Sequence, residues 1–213
     1  MTPLEKAILF ATVAHDTKDP KQIDEDGTPH IVHSLEVMLY VQQEYGFHST
    51  KFQHYTLEEL MIAAVLHDVV EDTCHTLDDI RREFGDKVAT LVDGVTRRHG
   101  DPGCKLIGCQ AHGKEFYRDF IYRSREDEGC KFIKTIDLLR NLARTHKIGI
   151  KKAKWRNKLE YKYGLAVRVL TSPEPTTWEQ QSYKVIGGRC YMADPNGKEI
   201  EVTPEELRAA TLA

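Results

Sequence analysis

Ala63-Ala-Val-Leu-His-Asp-Val-Val-Glu-Asp-Thr73 decides the reading of this chain. An apolar run ends in an imidazole and three carboxylates: His67, Asp68, Glu71 and Asp72. Thr56 and Glu59 form a capping box upstream, which predicts a helix through the apolar residues from Leu60 to Val70. On a helix His67 and Glu71 stand one turn apart, as do Asp68 and Asp72. Each pair shares a face and the two faces adjoin. Ala63, Ala64, Leu66, Val69 and Val70 oblige part of this segment to be buried. Burying several like charges is costly unless a cation neutralises them. An adjacent His and Asp offer one nitrogen and one oxygen ligand, a set suited to Mn²⁺, Fe²⁺, Zn²⁺ or Co²⁺. Such an ion makes a water nucleophilic near neutral pH. Glu71 and Asp72 are then placed to orient or deprotonate that water. A solvated helix end is the alternative for charges at this density; the apolar neighbours weigh against it without removing it.

Two other segments carry matching chemistry. Pro29-His-Ile-Val-His-Ser-Leu-Glu-Val37 brings His33 into a helix among Ile31, Val32 and Leu35. Phe132-Ile-Lys-Thr-Ile-Asp-Leu-Leu-Arg-Asn-Leu142 sets one carboxylate, Asp137, in an otherwise apolar helical stretch. Asn141 follows one turn later on the same face. A lone Asp on an apolar face requires a partner, and a metal ion is one.

The rest of the chain is punctuated for helices. Thr2-Pro3-Leu4-Glu5 is a capping box with proline at the first helical position, starting a helix towards Ala14. Ile31 to Tyr45 has helical spacing and a stop at Gly46. Leu77, Ile80 and Phe84 form one stripe ending at Gly85, and Val88, Leu91, Val92 and Val95 form the next. Further helices are predicted over about 115–123, 128–145 and 151–170. The expected architecture is all-α over residues 1–172. A C-terminal appendage, 173–213, is expected to hold a β-hairpin over 183–202, turning at Asp194-Pro-Asn-Gly197, and a short helix capped by Thr203-Pro-Glu-Glu206.

Composition removes several classes. At 213 residues the chain suits one domain of ordinary size. Lys+Arg number 30 against 33 Asp+Glu, a net charge of −3, whereas a protein that coats nucleic acid carries a basic excess. No nucleic-acid partner is expected. The apolar run that ends at Leu66 falls far short of a membrane span. The N-terminus lacks the charged-then-apolar layout of a secretory signal. Five cysteines without regular spacing do not make a disulfide scaffold and suit a reducing compartment. The expectation is a cytoplasmic protein without membrane contact.

In order along the chain stand an early His in an Ile-x-His context (His33), His-Asp-Val-Val-Glu-Asp-Thr (67–73), Phe-Gly-x-x-Val-Ala-x-Leu-Val-Asp-Gly-Val-Thr (84–96) and Asp-x-x-x-Asn (137–141). This order resembles the HD-domain hydrolases of the RelA/SpoT type over about residues 5–170. The resemblance implies an all-α HD fold and a Mn²⁺-dependent pyrophosphohydrolase. Its substrate would be guanosine 3′-diphosphate 5′-(di/tri)phosphate or the adenosine counterpart. It further implies that His33, His67, Asp68 and Asp137 hold one Mn²⁺, that Glu71 and Asp72 activate water, and that Asn141 lies at the nucleotide. Full-length members add synthetase and regulatory domains, so a chain of this length is expected to be a small, hydrolase-only enzyme. The family usually has a compact Gly-Gln-x-Arg-Lys-x-Gly box before the first metal His. Here the stretch from Ala14 to Gly27 is longer and more acidic, with Lys18 or Lys21 to stand in for the basic pair, and Ser34 replaces the usual Pro. This departure keeps two rivals open. One is a phosphatase acting on another nucleotide (NADPH 2′-phosphate or a deoxynucleotide); the other is a non-catalytic nucleotide sensor.

Several features remain. His99, Cys104, Cys109 and His112 lie in a glycine-rich loop and offer a tetrahedral zinc set, although their spacing matches no strong signature; a substrate-flanking loop is the preferred reading. Arg144 and Lys147, past Asn141, are candidates to meet substrate phosphate, as are Arg97 and Arg98. Tyr161 either stacks on a base or packs beside Tyr163 and Leu165. The basic run Lys151, Lys152, Lys154, Arg156 and Lys158 reads mainly as a solvated helix face. His15 and His30 are candidate donors to the metal ligands. His48, His54, His75 and His146 read as surface residues. A homo-oligomer is compatible with all of this.

Overall fold

A computed structural model describes residues 1–17, 27–48, 52, 54–98, 115–147 and 152–172, and the backbone of 184–186, 189–193 and 199–202. Its body is helical: α1 (Pro3–Asp16), α2 (Ile31–His48), α3 (Leu57–Leu66), α4 (Val69–Asp72), α5 (Leu77–Phe84), α6 (Asp86–Val95), α7 (Tyr117–Arg125), α8 (Glu128–Arg144) and α9 (Ala153–Thr171). A 3-10 turn, Thr145–Lys147, follows α8.

The helix starts follow the expected chemistry. At α1 the Glu5 backbone N–H donates to Thr2 Oγ1 (3.2 Å), and the Thr2 N–H donates to Glu5 Oε2 (2.7 Å). Thr56 and Glu59 make the same reciprocal pair at α3. A third box, Thr76 with Asp79 at α5, uses the shorter acid. Gly85, with φ of 88°, ends α5 and starts α6, a backbone conformation that favours glycine.

Two sequence expectations are corrected. The helix from Leu60 is not continuous through Val70: α3 stops at Leu66, His67 and Asp68 form a turn, and α4 restarts at Val69. Gly46 does not stop α2, which continues to His48. Its helical backbone there is open to solvent, and no neighbour lies where a Cβ would go.

α3 is the central rod. Every residue from Leu60 to Leu66 is buried, and the helix packs against α1, α2, α6 and α8. α1 meets it with small residues, Ala7, Ala11 and Ala14. α6 and α8 also pack closely. A Cβ on Gly94 would collide with Cys130 Sγ, which accounts for the glycine in Val92-Asp-Gly-Val95. One apolar cluster is built on α1 to α6 with Cys130, Ile133 and Ile136 of α8. A second joins Phe120 and Ile121 of α7, Leu138 of α8, and Leu165 and Val169 of α9. Asp137 lies on α8 between Ile136 of the first cluster and Leu138 of the second, so a buried carboxylate sits where the two cores meet.

Beyond α9, backbone pairing joins Lys184–Ile186 to Arg189–Ala193, and the latter to Glu199–Val202, both antiparallel. The expected turn at 194–197 and the helix from 203 lie outside the described residues. The fold class rests on the helical body.

Candidate metal centre

The turn between α3 and α4 builds the site. Because α3 ends at Leu66, the neighbours His67 and Asp68 bring ligand atoms together: His67 Nε2 lies 3.0 Å from Asp68 Oδ2 and 3.6 Å from Asp137 Oδ1. His67 is fully buried, and its Nδ1 donates to the Ala64 carbonyl at 2.9 Å. A carbonyl only accepts, so the neutral ring carries its proton on Nδ1 and a lone pair on Nε2. That Nε2 makes no hydrogen bond.

His33, in the first turn of α2, places Nε2 3.0 Å from the same Asp137 Oδ1. Asp137 is heavily engaged: Asn141 Nδ2 donates to Oδ1 at 2.6 Å and Lys134 Nζ to Oδ2 at 2.7 Å. His30 Nε2 lies 2.9 Å from Asp68 Oδ2 and 4.0 Å from Asp72 Oδ2. The imidazoles of His15, His30, His33 and His67 form a row with successive centroid separations of 4.9, 5.7 and 5.3 Å.

The donor set fits a divalent cation. One ligand atom each from His33, His67 and Asp68 lies within 4.8 Å of the others. A buried imidazole lone pair aimed at two carboxylates is unfavourable by itself and favourable around a cation, and the mix of nitrogen and oxygen suits a borderline metal. Electrostatics point the same way. Burial acts against a charged His67, yet Asp68 and Asp137 outweigh it and raise its pKa well above the ordinary imidazole value. Burial also acts against an ionised Asp137, yet Lys134, His33 and His67 hold it well below the usual carboxylate range. The site demands positive charge, from a proton or a metal.

Glu71 and Asp72 are half-buried on α4 and open onto a cleft of about 160 Å³ together with Asp68 and Asp137. Glu71 Oε2 accepts the Arg97 backbone N–H at 3.1 Å, which ties the residue after Val-Asp-Gly-Val-Thr to the site. Arg97, Lys134, Asn141, Lys162 and Tyr163 line the same cleft.

The expected substrate contacts divide. Asn141 reaches the cleft through its bond to Asp137. Arg144 donates to Thr28 Oγ1 at 3.3 Å and is not among the cleft-lining residues. Tyr161 packs on the second core, while Tyr163 lines the cleft. Lys18, Lys21 and the loop holding His99, Cys104, Cys109 and His112 lie outside the described residues. Lys152, Lys154 and Lys158 are exposed, in keeping with a solvated face. His54 and His146 are exposed, but His75 is half-buried against Phe10, with ring centroids 4.5 Å apart. Sequence reasoning missed Lys134 and Lys162. For Lys134 the signal was available: a lysine one turn before Asp137 on the same face of an apolar helix.

A family model described as HD domain matches residues 7–115, just over half of the chain. The chain belongs to the HD-domain family. The match spans α1 to α6 and so contains His33, His67, Asp68, Glu71 and Asp72.

This HD domain is 32% identical over 139 residues to an Aquifex aeolicus protein named guanosine-3′,5′-bis(diphosphate) 3′-pyrophosphohydrolase; the matched region covers 65% of this chain and 17% of that protein. It is also 32% identical over 121 residues to the human guanosine-3′,5′-bis(diphosphate) 3′-pyrophosphohydrolase MESH1, covering 49% of this chain and 62% of that one. The chain thus spans under two thirds of the length of either relative. A solved structure described as a metazoan ortholog of SpoT that hydrolyses ppGpp superposes with a TM-score of 0.58 at 23% identity, over 84% of this chain and 90% of that one. At that identity the superposition establishes the shared fold.

Proposed function

We propose that this HD domain is a Mn²⁺-dependent hydrolase that removes the 3′-pyrophosphate from guanosine 3′-diphosphate 5′-(di/tri)phosphate or its adenosine counterpart. The observation that carries the reading is the convergence of two histidines and two aspartates from α2, α8 and the α3–α4 turn. Two further carboxylates, Glu71 and Asp72, and a group of cations share their cleft. The names of the relatives supply the substrate class.

His33, His67, Asp68 and Asp137 would hold the ion. When bound, a divalent cation lowers the pKa of a water and offsets charge developing on phosphoryl oxygens. The remaining chemistry belongs to the chain. Glu71 is steadied through one oxygen by the Arg97 N–H and takes the proton of the attacking water, with Asp72 orienting that water. Attack on the phosphorus bonded to the ribose 3′-oxygen forms a P–O bond to water and breaks the P–O3′ bond. Pyrophosphate departs, and the 3′-oxygen takes up a proton. Asn141 and Lys134 fix the Asp137 carboxylate and keep it ionised. Residues 1–172 form the hydrolase unit in this reading, and 173–213 the appendage with its β-hairpin and short helix. No helix among the described residues is long and apolar enough to cross a membrane.

The test is a substrate panel in Mn²⁺: guanosine tetraphosphate, its adenosine counterpart, NADPH and deoxynucleoside triphosphates, with each product resolved chromatographically. Preferential cleavage of the guanosine or adenosine 3′-diphosphates supports the reading. Cleavage of NADPH or deoxynucleotides with the 3′-diphosphates untouched replaces it.

A further inference from the structure

The cleft holds more positive charge than the metal ligands use. Lys134 is committed to Asp137 by its 2.7 Å ion pair. Arg97 gives its backbone N–H to Glu71 and its Nε to the Glu115 carbonyl at 2.8 Å. Its guanidinium carbon lies 5.7 Å from the centre of the Tyr117 ring. Lys162, on α9, places Nζ 4.0 Å from the centre of that same ring. Among the described residues, Lys162 has no carboxylate or carbonyl within hydrogen-bonding or ion-pair distance.

Two cations gathered at one aromatic ring repel each other, and a half-buried ammonium with no hydrogen-bonded or ion-paired partner among the described residues is poorly solvated, although the Glu71 carboxylate attracts it from across the cleft. The ring's negative face offsets part of that cost. The arrangement is relieved by an anion that both groups can reach. The groups line the cleft that also holds Glu71, Asp68 and Asp137, so the anion they accept must sit beside the metal ligands.

We propose that Lys162 and Arg97, both close to the Tyr117 ring, form the cradle for the phosphoryl groups of the substrate, with Lys162 as the principal anchor. The identity of the anion, a 3′-pyrophosphate, rests on the hydrolase reading above; the cradle itself rests on the placement of the two cations. The guanidinium holds its geometry through Nε and the ring, so its terminal nitrogens present two donors to phosphate oxygens. Lys162 adds a point charge on a stem that moves with the ligand. Lys162 acts in binding, and the proton transfers stay with Glu71 and Asp72.

Calorimetric titration of inorganic pyrophosphate into the Mn²⁺-loaded protein tests this directly, with Lys162→Met and Lys162→Arg beside the unsubstituted chain. Loss of a charge-assisted contact predicts that Lys162→Met weakens pyrophosphate binding by about ten-fold or more, and that Lys162→Arg recovers most of it. Mn²⁺ affinity, measured on the same samples, is expected to stay unchanged and to show that the variants are folded. Equal pyrophosphate affinity in the unsubstituted protein and Lys162→Met overturns the cradle, as does absence of pyrophosphate binding by the unsubstituted protein. Turnover of guanosine tetraphosphate is scored separately. If it is absent while pyrophosphate binding still depends on Lys162, the hydrolase reading falls and the cradle stands. If turnover is present, KM is expected to rise in Lys162→Met more than kcat falls.

Discussion

His33 Nε2 lies 3.0 Å from Asp137 Oδ1 across a separation of 104 residues in the chain. That contact closes the site: it joins the first turn of α2 to the middle of α8, around the turn that carries His67 and Asp68.

Asp137 is therefore the residue whose loss costs most. Asp137→Ala removes a ligand and leaves Lys134 buried without its ion pair. Breaking a buried pair from one side costs about 3–5 kcal/mol. Urea denaturation is expected to show a loss of that order together with loss of Mn²⁺ binding in a titration. A variant that keeps native stability and metal affinity would remove Asp137 from the ligand set.

Glu71 is expected to separate metal binding from turnover. Glu71→Gln keeps an acceptor for the Arg97 N–H but no longer takes a proton. Metal stoichiometry should be retained while kcat drops by about 10²–10⁴-fold, the range of general base catalysis. Undiminished kcat would take water activation away from Glu71.

His30 is expected to act through Asp68. A group that hydrogen-bonds a metal-ligating carboxylate fixes its orientation, and its removal typically costs about 10–100-fold in metal affinity. His30→Ala should show this in a competitive Mn²⁺ titration, with near-native thermal stability. Unchanged affinity would make the 2.9 Å contact to Asp68 incidental.

The pH dependence of anion binding follows from Lys162. Burial first, then repulsion from Arg97 and Lys134, hold its ammonium down to about 8 from the ordinary 10.5; Glu71 pulls upward and Lys158 adds a further downward push. Tyr163, raised to about 12 by burial, stays neutral in this range. With the folded value depressed, the unfolded chain binds more protons between the two values, so this group's contribution to stability rises with pH over that window. Anion binding runs the other way, because the cradle needs the charged form. Pyrophosphate affinity is expected to fall as pH rises through about 8 and to level off near that of Lys162→Met, relative to Lys162→Arg, which stays charged and cancels the titration of the anion itself. Parallel profiles for the two proteins would contradict this.

Much of the fold was legible because it depends on local rules. Capping boxes at Thr2 and Thr56, the glycine at 85 and the apolar stripes of α5 and α6 place helices with little help from tertiary contacts. The break at His67 and Asp68 was not legible, since the apolar pattern continues from Leu60 to Val70 and no glycine or proline marks the turn. The residues that converge at the site, His33, His67, Asp68 and Asp137, each stood out in the sequence, because buried carboxylates and imidazoles on apolar faces are costly by themselves. Lys162 was hidden for the opposite reason. It sits beside a basic run that reads as surface, and only the packing of α9 against α7 brings it over Tyr117.

The central claim is metal-dependent release of pyrophosphate from the 3′ position, and product analysis tests it most directly. Guanosine tetraphosphate is incubated with the purified chain in Mn²⁺, with chelator and Glu71→Gln as controls. The account predicts GDP and pyrophosphate in equal amounts, abolished by chelator and strongly reduced in Glu71→Gln. Release of orthophosphate in place of pyrophosphate, or an intact nucleotide in the presence of Mn²⁺, would contradict it.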